Sequence, residues 1–189
     1  MGFAAVCPRP RNAAATRTAI LDAAAKRFAA ESYEQVGMRD IARDVGVDPA
    51  LISRYFGSKE ELFRAVLDDC DGDELMDGDR ATFGERMAED LIYGPAKDED
   101  LAWLLIMLKS AGSPKAAEIV QQAAIEGFYE PFTAWLGGED AAIRARILAG
   151  ILMGVAVGRD LSGGMKLSSE ECERMKARLA PMLQELVDG

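Results

Sequence analysis

The 189-residue chain contains no histidine, the side chain that most often serves as a catalytic base or metal ligand near neutral pH. Three cysteines, Cys7, Cys70 and Cys172, are odd in number and widely spaced, so they fit neither a disulfide framework nor a zinc pattern. Free cysteines of this kind fit a protein of the reducing cytoplasm. The alternative is that they have a redox-sensing role. No nucleophile–base pair, phosphate loop or paired carboxylates stand out, so we expect no enzyme, no metal site and no cofactor.

Long apolar segments are also scarce. The apolar stretch at 2–6 is too short for a signal peptide, and we expect no window of about 18 apolar residues that could span a membrane. Residues 1–11 combine two prolines with two arginines and are expected to form a flexible tail. The sequence also has no convincing runs of alternating apolar and polar residues, which would indicate strands, so it predicts an all-α protein.

The segment from Met38 to Lys59, MRDIARDVGVDPALISRYFGSK, is the most informative part of the chain. Apolar residues at 38, 41, 42 and 45 have the spacing of one helix face. Gly46 suits a left-handed helix end, and Asp48 followed by Pro49 suits the cap and first turn of a second helix. Two short helices joined by a glycine corner indicate a helix-turn-helix, which binds double-stranded DNA through its second helix.

A further helix is predicted to begin at Ser58, because the residues at 58–61 have the form of a capping box and apolar residues follow. We expect it to run over 58–74 and connect the motif to the rest of the chain. Lys59 lies in its first turn, beside free N–H groups and the positive end of the helix dipole, and is a candidate phosphate contact. An amphipathic helix over 12–31 is predicted to brace the motif from behind.

Residues 16–67 resemble the TetR family of bacterial transcriptional regulators, in the stretch TRTAILDAAAKRFAAESYEQVGMRDIARDVGVDPALISRYFGSKEELFRAVL. The resemblance implies a DNA-binding head over 12–57 and an all-helical body over 58–189 that dimerises and holds a small effector. Carried over position by position, it implies DNA contacts at Arg39, Ala50, Leu51, Ser53, Arg54, Tyr55 and Lys59. Many members carry Thr or Ser in place of Leu51 and Tyr in place of Ser53, so the half-site preference cannot be copied from a relative.

The charge is unevenly distributed along the chain. The net charge is −10, but residues 1–67 carry +2 and residues 68–189 carry −12. A mildly basic head suits phosphate neutralisation, with the acidic body held away from DNA. Arginines in the 1–11 tail could touch DNA outside the main groove. The acidity of the body either attracts a cationic effector or keeps its surface solvated.

Glycine and proline breakers divide the body into helices, predicted at 82–93, 99–110, 115–136, 140–161 and 169–187. Pro131 is expected to kink the third of these, and Pro181 to bend or break the last.

The helix at 140–161 contains ILAGILMGVAVG, with three glycines four residues apart on one face. Small residues at this spacing allow two helix backbones to approach closely. A candidate homodimer interface therefore consists of Ile147, Gly150, Ile151, Gly154, Val155 and Gly158. Two-fold symmetry would match an inverted-repeat operator. The alternative is a central helix that contacts only its own chain.

The middle helices carry methionines, aromatic residues and amides, which suit an adaptable cavity for a small hydrophobic or amphipathic effector. The candidate lining residues are Met87, Leu91, Trp103, Met107, Gln121, Gln122, Ile125, Phe128 and Tyr129. Gln121, Gln122 and Tyr129 stand out, because a buried amide or phenol needs a hydrogen-bond partner. The same residues would equally build a solid core.

Motif and resemblance together predict a cytoplasmic, homodimeric repressor that a small effector releases from a palindromic operator. The alternative is a DNA-binding regulator with a filled core and no effector, controlled by a protein partner.

Overall fold

The computed structural model describes residues 13–69, 73–95 and 98–189, and this part of the chain is helical and contains no strand. The helices are α1 (Ala13–Ala30), α2 (Met38–Val45), α3 (Pro49–Phe56), α4 (Lys59–Asp68), α5 (Asp73–Met76), α6 (Phe83–Tyr93), α7 (Asp98–Ser110), α8 (Pro114–Ala124), α9 (Glu130–Leu136), α10 (Ala141–Leu161) and α11 (Ser169–Asp188). The all-α class predicted from the sequence is confirmed. The predicted tail at 1–11 and the cysteines at 7 and 70 lie outside the described residues.

The first hydrophobic cluster, which we call the head cluster, is centred on α1 and α4. Phe63 of α4 is fully buried, and its ring centroid lies 4.6 Å from that of Phe28 and 5.0 Å from that of Tyr33. The cluster also includes Ile106 of α7 and Ala116 of α8. Helix α4 buries residues against both the motif and the following helices, so it packs against both head and body.

The second cluster, the body cluster, lies among α6, α9, α10 and α11. Its fully buried side chains include Phe83, Phe132, Leu148 and Leu183. Helices α6 and α11 lie close together at Gly84, where a Cβ atom would lie 2.2 Å from the carbonyl oxygen of Ala180. Only glycine fits this crossing.

Three buried or partly buried arginines bind carbonyl oxygens at the C-terminal ends of body helices. Arg80 and Arg144 both donate to the carbonyl of Val187 near the end of α11, at 2.6 and 3.1 Å. Arg159 donates to the carbonyl of Leu91 near the end of α6, at 3.1 Å. The last carbonyls of a helix have no partner within it, so each guanidinium satisfies them and complements the negative end of the dipole.

The connecting helix is shorter than predicted. Instead of running over 58–74, α4 ends at Asp68, and residues 70–72 lie outside the described residues. Acidic residues at 68 and 69 interact unfavourably with the negative end of the helix dipole, which favours an early end.

The two prolines within predicted helices behave differently from each other. The predicted helix at 115–136 appears as α8 and α9 joined by one π-helical turn, Ile125–Tyr129, and Pro131 lies in the first turn of α9, where a missing N–H is tolerated. In contrast, α11 runs through Pro181, so of the two expected outcomes the break is wrong and the bend stays a prediction. Leu179 and Leu183 are buried on either side, and at roughly 1.5–3 kcal/mol per buried side chain they offset the cost of the proline.

Helix α10 also corrects an expectation about membranes. Its mean hydropathy is 1.7 over 18 residues, so it is long and apolar enough to cross a bilayer. By length and composition alone this is weak evidence, because the core helix of a soluble protein passes the same test. Arg144 and Arg159, near its two ends, are hydrogen-bonded to other helices of the body.

Replacing Gly84 with Ala tests the α6–α11 crossing. Gly→Ala inside a helix normally stabilises by about 1 kcal/mol, but here the new Cβ meets backbone, and we expect a loss of about 1–3 kcal/mol in the free energy of unfolding. Urea unfolding followed by circular dichroism measures it. Gly127→Ala is the control, since nothing lies within 4 Å of its Cβ position. A Gly84→Ala protein as stable as the wild type would contradict the packing.

Candidate nucleic-acid interface

Helix α2 begins and ends, and helix α3 begins, where the sequence predicts. Gly46 ends α2 with a left-handed φ of +73°, and the N–H of Val47 donates to the carbonyl of Ala42 at 3.0 Å. Asp48 begins α3 by accepting from the N–H of Ala50 at 2.7 Å, with Pro49 in the first position. These local contacts fix the angle between the helices.

Burial of one side of α3 determines which side faces outward. Ile52 and Phe56 pack in the head cluster. Of the predicted DNA contacts, Arg39, Ala50, Ser53 and Arg54 are exposed, and Leu51, Tyr55 and Lys59 are partly buried. The structure therefore brings the α3 candidates onto one accessible surface, which we call the α3 face: Ala50, Leu51, Ser53, Arg54 and Tyr55. Their contacts with DNA stay a prediction.

The cations of the head differ in how they are paired. Arg27 lies 3.0 Å from Asp44 and Arg43 lies 2.9 Å from Asp40, so both are partly neutralised. Within the part of the chain that the structure describes, Arg39 and Arg54 form no such pair. Their charge is therefore available to phosphate oxygens.

Lys59 is held by an aromatic ring at the start of α4. Its Nζ lies 4.3 Å from the ring centroid of Tyr33, a cation–π geometry. Partial burial lowers the pKa of Lys59, while the nearby carboxylates of Glu34 and Glu60 oppose that change. Burial also raises the pKa of Tyr33 to about 12. A phosphate contact through Lys59 would thus be made by a positioned ammonium group.

Comparison with known proteins identifies the family. The description "Bacterial regulatory proteins, tetR family" matches residues 20–66, and "Tetracyclin repressor-like, C-terminal domain" matches residues 81–187. The chain belongs to the TetR family.

Individual TetR-family proteins are similar over different lengths. The transcriptional regulator BetI of Rhizobium meliloti (strain 1021) is 45% identical over 51 residues, 27% of this chain and 25% of BetI. The regulatory protein RaaS of Mycobacterium tuberculosis (strain ATCC 25618 / H37Rv) is 31% identical over 148 residues, 69% of this chain and 64% of RaaS. The chain thus spans less than two thirds of either relative. A TetR-family regulator from Streptomyces coelicolor A3 is 25% identical, with a TM-score of 0.54 over 97% of this chain and all of that one.

Polar contacts tie the TetR-type head to helix α8 and the π-helical turn. Arg64 of α4 donates to Glu126 of that turn at 2.6 Å, and Glu60 accepts from Lys115 of α8. The hydrogen bond from Lys115 is the main reason that the pKa of Glu60 falls to about 2. Sequence reasoning missed these contacts, because no local spacing relates residues 62 or 55 positions apart.

The residues predicted to line an effector cavity are divided between the two clusters. Trp103 packs against the head cluster, whereas Leu91 belongs to the body cluster, and Met87 and Phe128 pack against it. The remaining apolar or aromatic candidates, Met107, Ile125 and Tyr129, are partly buried. Their role in effector binding stays a prediction.

Gln121 and Gln122 correct the expectation of buried amides. Both are exposed, and Gln122 donates to Glu126 on the surface. The buried side of α8 carries Ala116 and Ala123, so the helical period directs the two amides outward.

A cleft of about 230 Å³ lies beside the C-terminal half of α10, and its lining includes Val155, Arg159, Met165 and Met175. It shares no residue with the predicted effector site.

The predicted dimer residues occupy the open side of α10. Ile147, Gly150, Gly154 and Gly158 are exposed, and a Cβ at any of the three glycines would meet nothing within 4 Å. Ile151 and Val155 are partly buried against the body cluster. The alternative of a helix surrounded by its own chain is therefore wrong for the exposed residues.

Arg54→Ala tests the α3 face. We expect operator affinity to fall about tenfold, a loss near 1.4 kcal/mol, because one unpaired cation leaves the interface. Fluorescence anisotropy against operator DNA measures it, and thermal unfolding should be nearly unchanged, since Arg54 is exposed. Lys109→Ala is the control, because Lys109 is an exposed cation on α7 in the body. Equal effects of the two substitutions would contradict the assignment.

Lys115→Met tests the link between α4 and α8. The pKa of Glu60 should rise from about 2 towards its ordinary 4.5, because its main hydrogen-bond donor is removed. A depressed carboxylate pKa stabilises the fold above pH 4.5 and loses that effect as the pH falls towards 2. The variant should thus be slightly less stable at neutral pH and equal to wild type near pH 2. NMR titration of Glu60 checks the shift, with Lys109→Met as control; an unchanged pKa would show that Lys115 does not hold Glu60.

Proposed function

We propose that this TetR-family chain is a homodimeric transcriptional repressor that a small effector releases from a palindromic DNA operator. The observation that carries the DNA-binding part is the accessible α3 face, with Arg54 exposed and without an ion-pair partner among the described residues. The basic balance of residues 1–67 supports the same conclusion, since phosphate contacts supply much of the affinity for DNA.

The open side of α10 supports the homodimer. Ile147 is 44% exposed and Ile143 is 57% exposed, on the same helix as the three uncovered glycines. An apolar helix face gains stability when a second protomer covers it. A two-fold dimer would present two α3 faces to the two halves of an inverted repeat.

The packing of α4 against both head and body supports control by an effector. Leu62 and Phe63 pack in the same cluster as Ala116 of α8, and Arg64 binds Glu126 of the π-helical turn. A ligand that shifts α8 or the turn would therefore displace α4 and change the separation of the two heads. It would act only to the extent that it prefers the non-binding conformation.

A filled-core regulator without an effector is the second candidate. The division of the predicted lining residues between two clusters favours it. A thermal-shift screen with small hydrophobic and amphipathic ligands separates the two, because a ligand that binds the folded state raises the melting temperature. Shifts accompanied by release of operator DNA support the effector, and a screen without any shift supports the filled core.

Gly154→Leu tests the dimer part of the proposal. Gly154 is exposed and nothing lies within 4 Å of its Cβ position in the protomer, so we expect helix content and unfolding to be retained. It would block close approach of a second α10, so we expect a shift from dimer to monomer in sedimentation velocity and weaker operator binding. The control is Gly127→Ala, which also has open space but lies outside α10. A Gly154→Leu protein that remains dimeric would place the interface elsewhere.

A further inference from the structure

The cleft beside the C-terminal half of α10, which we call the α10 cleft, is bounded by apolar side chains and glycines. It has a volume of about 230 Å³, and Val155, Met165 and Met175 supply its apolar lining. Gly154 and Gly158 also line it, and a Cβ atom at either glycine would meet nothing within 4 Å. Since a cavity of about 150 Å³ is enough for a benzene molecule, the cleft has room for a small ligand.

Arg159 adds a polar group to this lining, although its side chain is only 7% exposed. Its Nε atom donates to the carboxylate of Asp160 at 2.8 Å. Its Nη1 atom donates to the carbonyls of Asp90, Leu91 and Gly94, at 3.2, 3.1 and 3.4 Å. Nη2 donates to no residue that the structure describes, and it is not one of the buried atoms without a partner, so it remains accessible. It is therefore the donor of Arg159 that is left for a molecule in the cleft.

The ion pair beside the cleft determines the charge of the ligand. The side chain of Asp160 is as buried as that of Arg159, so the two opposite charges compensate each other within the protein. An anion that approached Nη2 would be repelled by the carboxylate of Asp160, and a cation would be repelled by the guanidinium group. A neutral oxygen acceptor, such as a carbonyl group, accepts from Nη2 without adding a charge to the pair.

The rest of the lining determines the remainder of the ligand. Met165 and Met175 are partly buried, and both line the cleft. Their flexible thioether side chains adapt to apolar molecules of different shapes. Each apolar group that enters the cleft is removed from water, which favours binding. The lining therefore fits a molecule that is apolar apart from one hydrogen-bond acceptor.

We propose that the α10 cleft binds a small neutral molecule, whose oxygen accepts a hydrogen bond from Nη2 of Arg159 while its apolar part lies against Met165 and Met175. The site is separate from the residues that the sequence predicts for an effector. Gly154 and Gly158 also belong to the predicted dimer interface, so a ligand here would lie beside the second protomer. The regulatory meaning of the site rests on the proposed function, but the binding itself does not.

The test is an NMR titration of the full-length protein with labelled methionine methyl groups, in which Met165→Leu and Met175→Leu assign the two signals of the cleft. The probes are acetophenone and cyclohexanone, with α-methylstyrene and methylenecyclohexane as counterparts that carry a CH₂ group in place of the oxygen. Gly158→Leu fills the cleft, and Arg159→Lys keeps the charge but lacks Nη2. Ala142→Leu is the control, because Ala142 is an exposed small residue of α10 outside the cleft lining.

For the wild type we expect at least one ketone to shift the signal of Met165 or Met175, with an affinity about tenfold above that of its hydrocarbon counterpart, because one hydrogen bond to a charged donor is gained. Gly158→Leu should abolish the shift, and Arg159→Lys should reduce the affinity for the ketone to that for the hydrocarbon. Ala142→Leu should change neither. If Arg159→Lys does not fold, Gly158→Leu keeps the test decisive, since Gly158 is exposed.

Three results would overturn the proposal: no shift of either signal with either ketone, equal affinities for ketone and hydrocarbon, and ketone binding that survives in Gly158→Leu. Signals that change when the dimer is diluted to monomer, but not with a ketone, would show that a side chain of the second protomer fills the cleft. Operator binding separates this proposal from the proposed function. Ketone binding without release of DNA would keep the site and reject its effector role, whereas release of DNA by a ligand that leaves both methionine signals unchanged would support the proposed function and place the effector elsewhere.

Discussion

The position of α3 depends on the burial of α4 between the motif and the body. Leu62 and Phe63 are both fully buried, and Phe63 contacts the rings of Phe28 and Tyr33. The same cluster takes in Ile106 of α7. Because α4 packs in the same cluster as the motif helices, we expect a displacement of α4 to strain the packing of the head. The head cluster therefore extends across the predicted boundary between residues 57 and 58.

Charge has two distinct roles in this molecule. In the body, arginines such as Arg144 and Arg159 donate hydrogen bonds to carbonyl oxygens at helix ends and so connect helices to one another. In the head, Arg39 and Arg54 have no ion-pair partner within the described residues and face solvent. Arg86 belongs to neither group, because its Nε and Nη2 atoms are buried and have no hydrogen-bond partner among the described residues.

Local chemistry explains which features could be predicted from the sequence. Gly46, Asp48 and the Ser58 capping box act within a few residues, so the end of α2 and the starts of α3 and α4 follow from short patterns. The sequence predictions are wrong where contacts between residues far apart in the chain determine the structure. Pro181 stays helical because buried neighbours hold α11 in place, and Gln121 faces solvent because the alanines of α8 pack inward. The docking of Gly84 on Ala180 depends on residues about a hundred positions apart, which no local pattern relates.

On the proposed function, the chain selects an operator as a dimer through its α3 face. The most direct measurement is fluorescence anisotropy of the purified protein with the DNA upstream of its own gene, beside a scrambled competitor, at several salt concentrations. We expect sequence-selective binding with two protomers per palindrome and an affinity that falls steeply with salt. Equal binding to the upstream DNA and the scrambled competitor, lost at higher salt, would contradict operator selection by the dimer if DNA sequences selected from a random pool gave the same result.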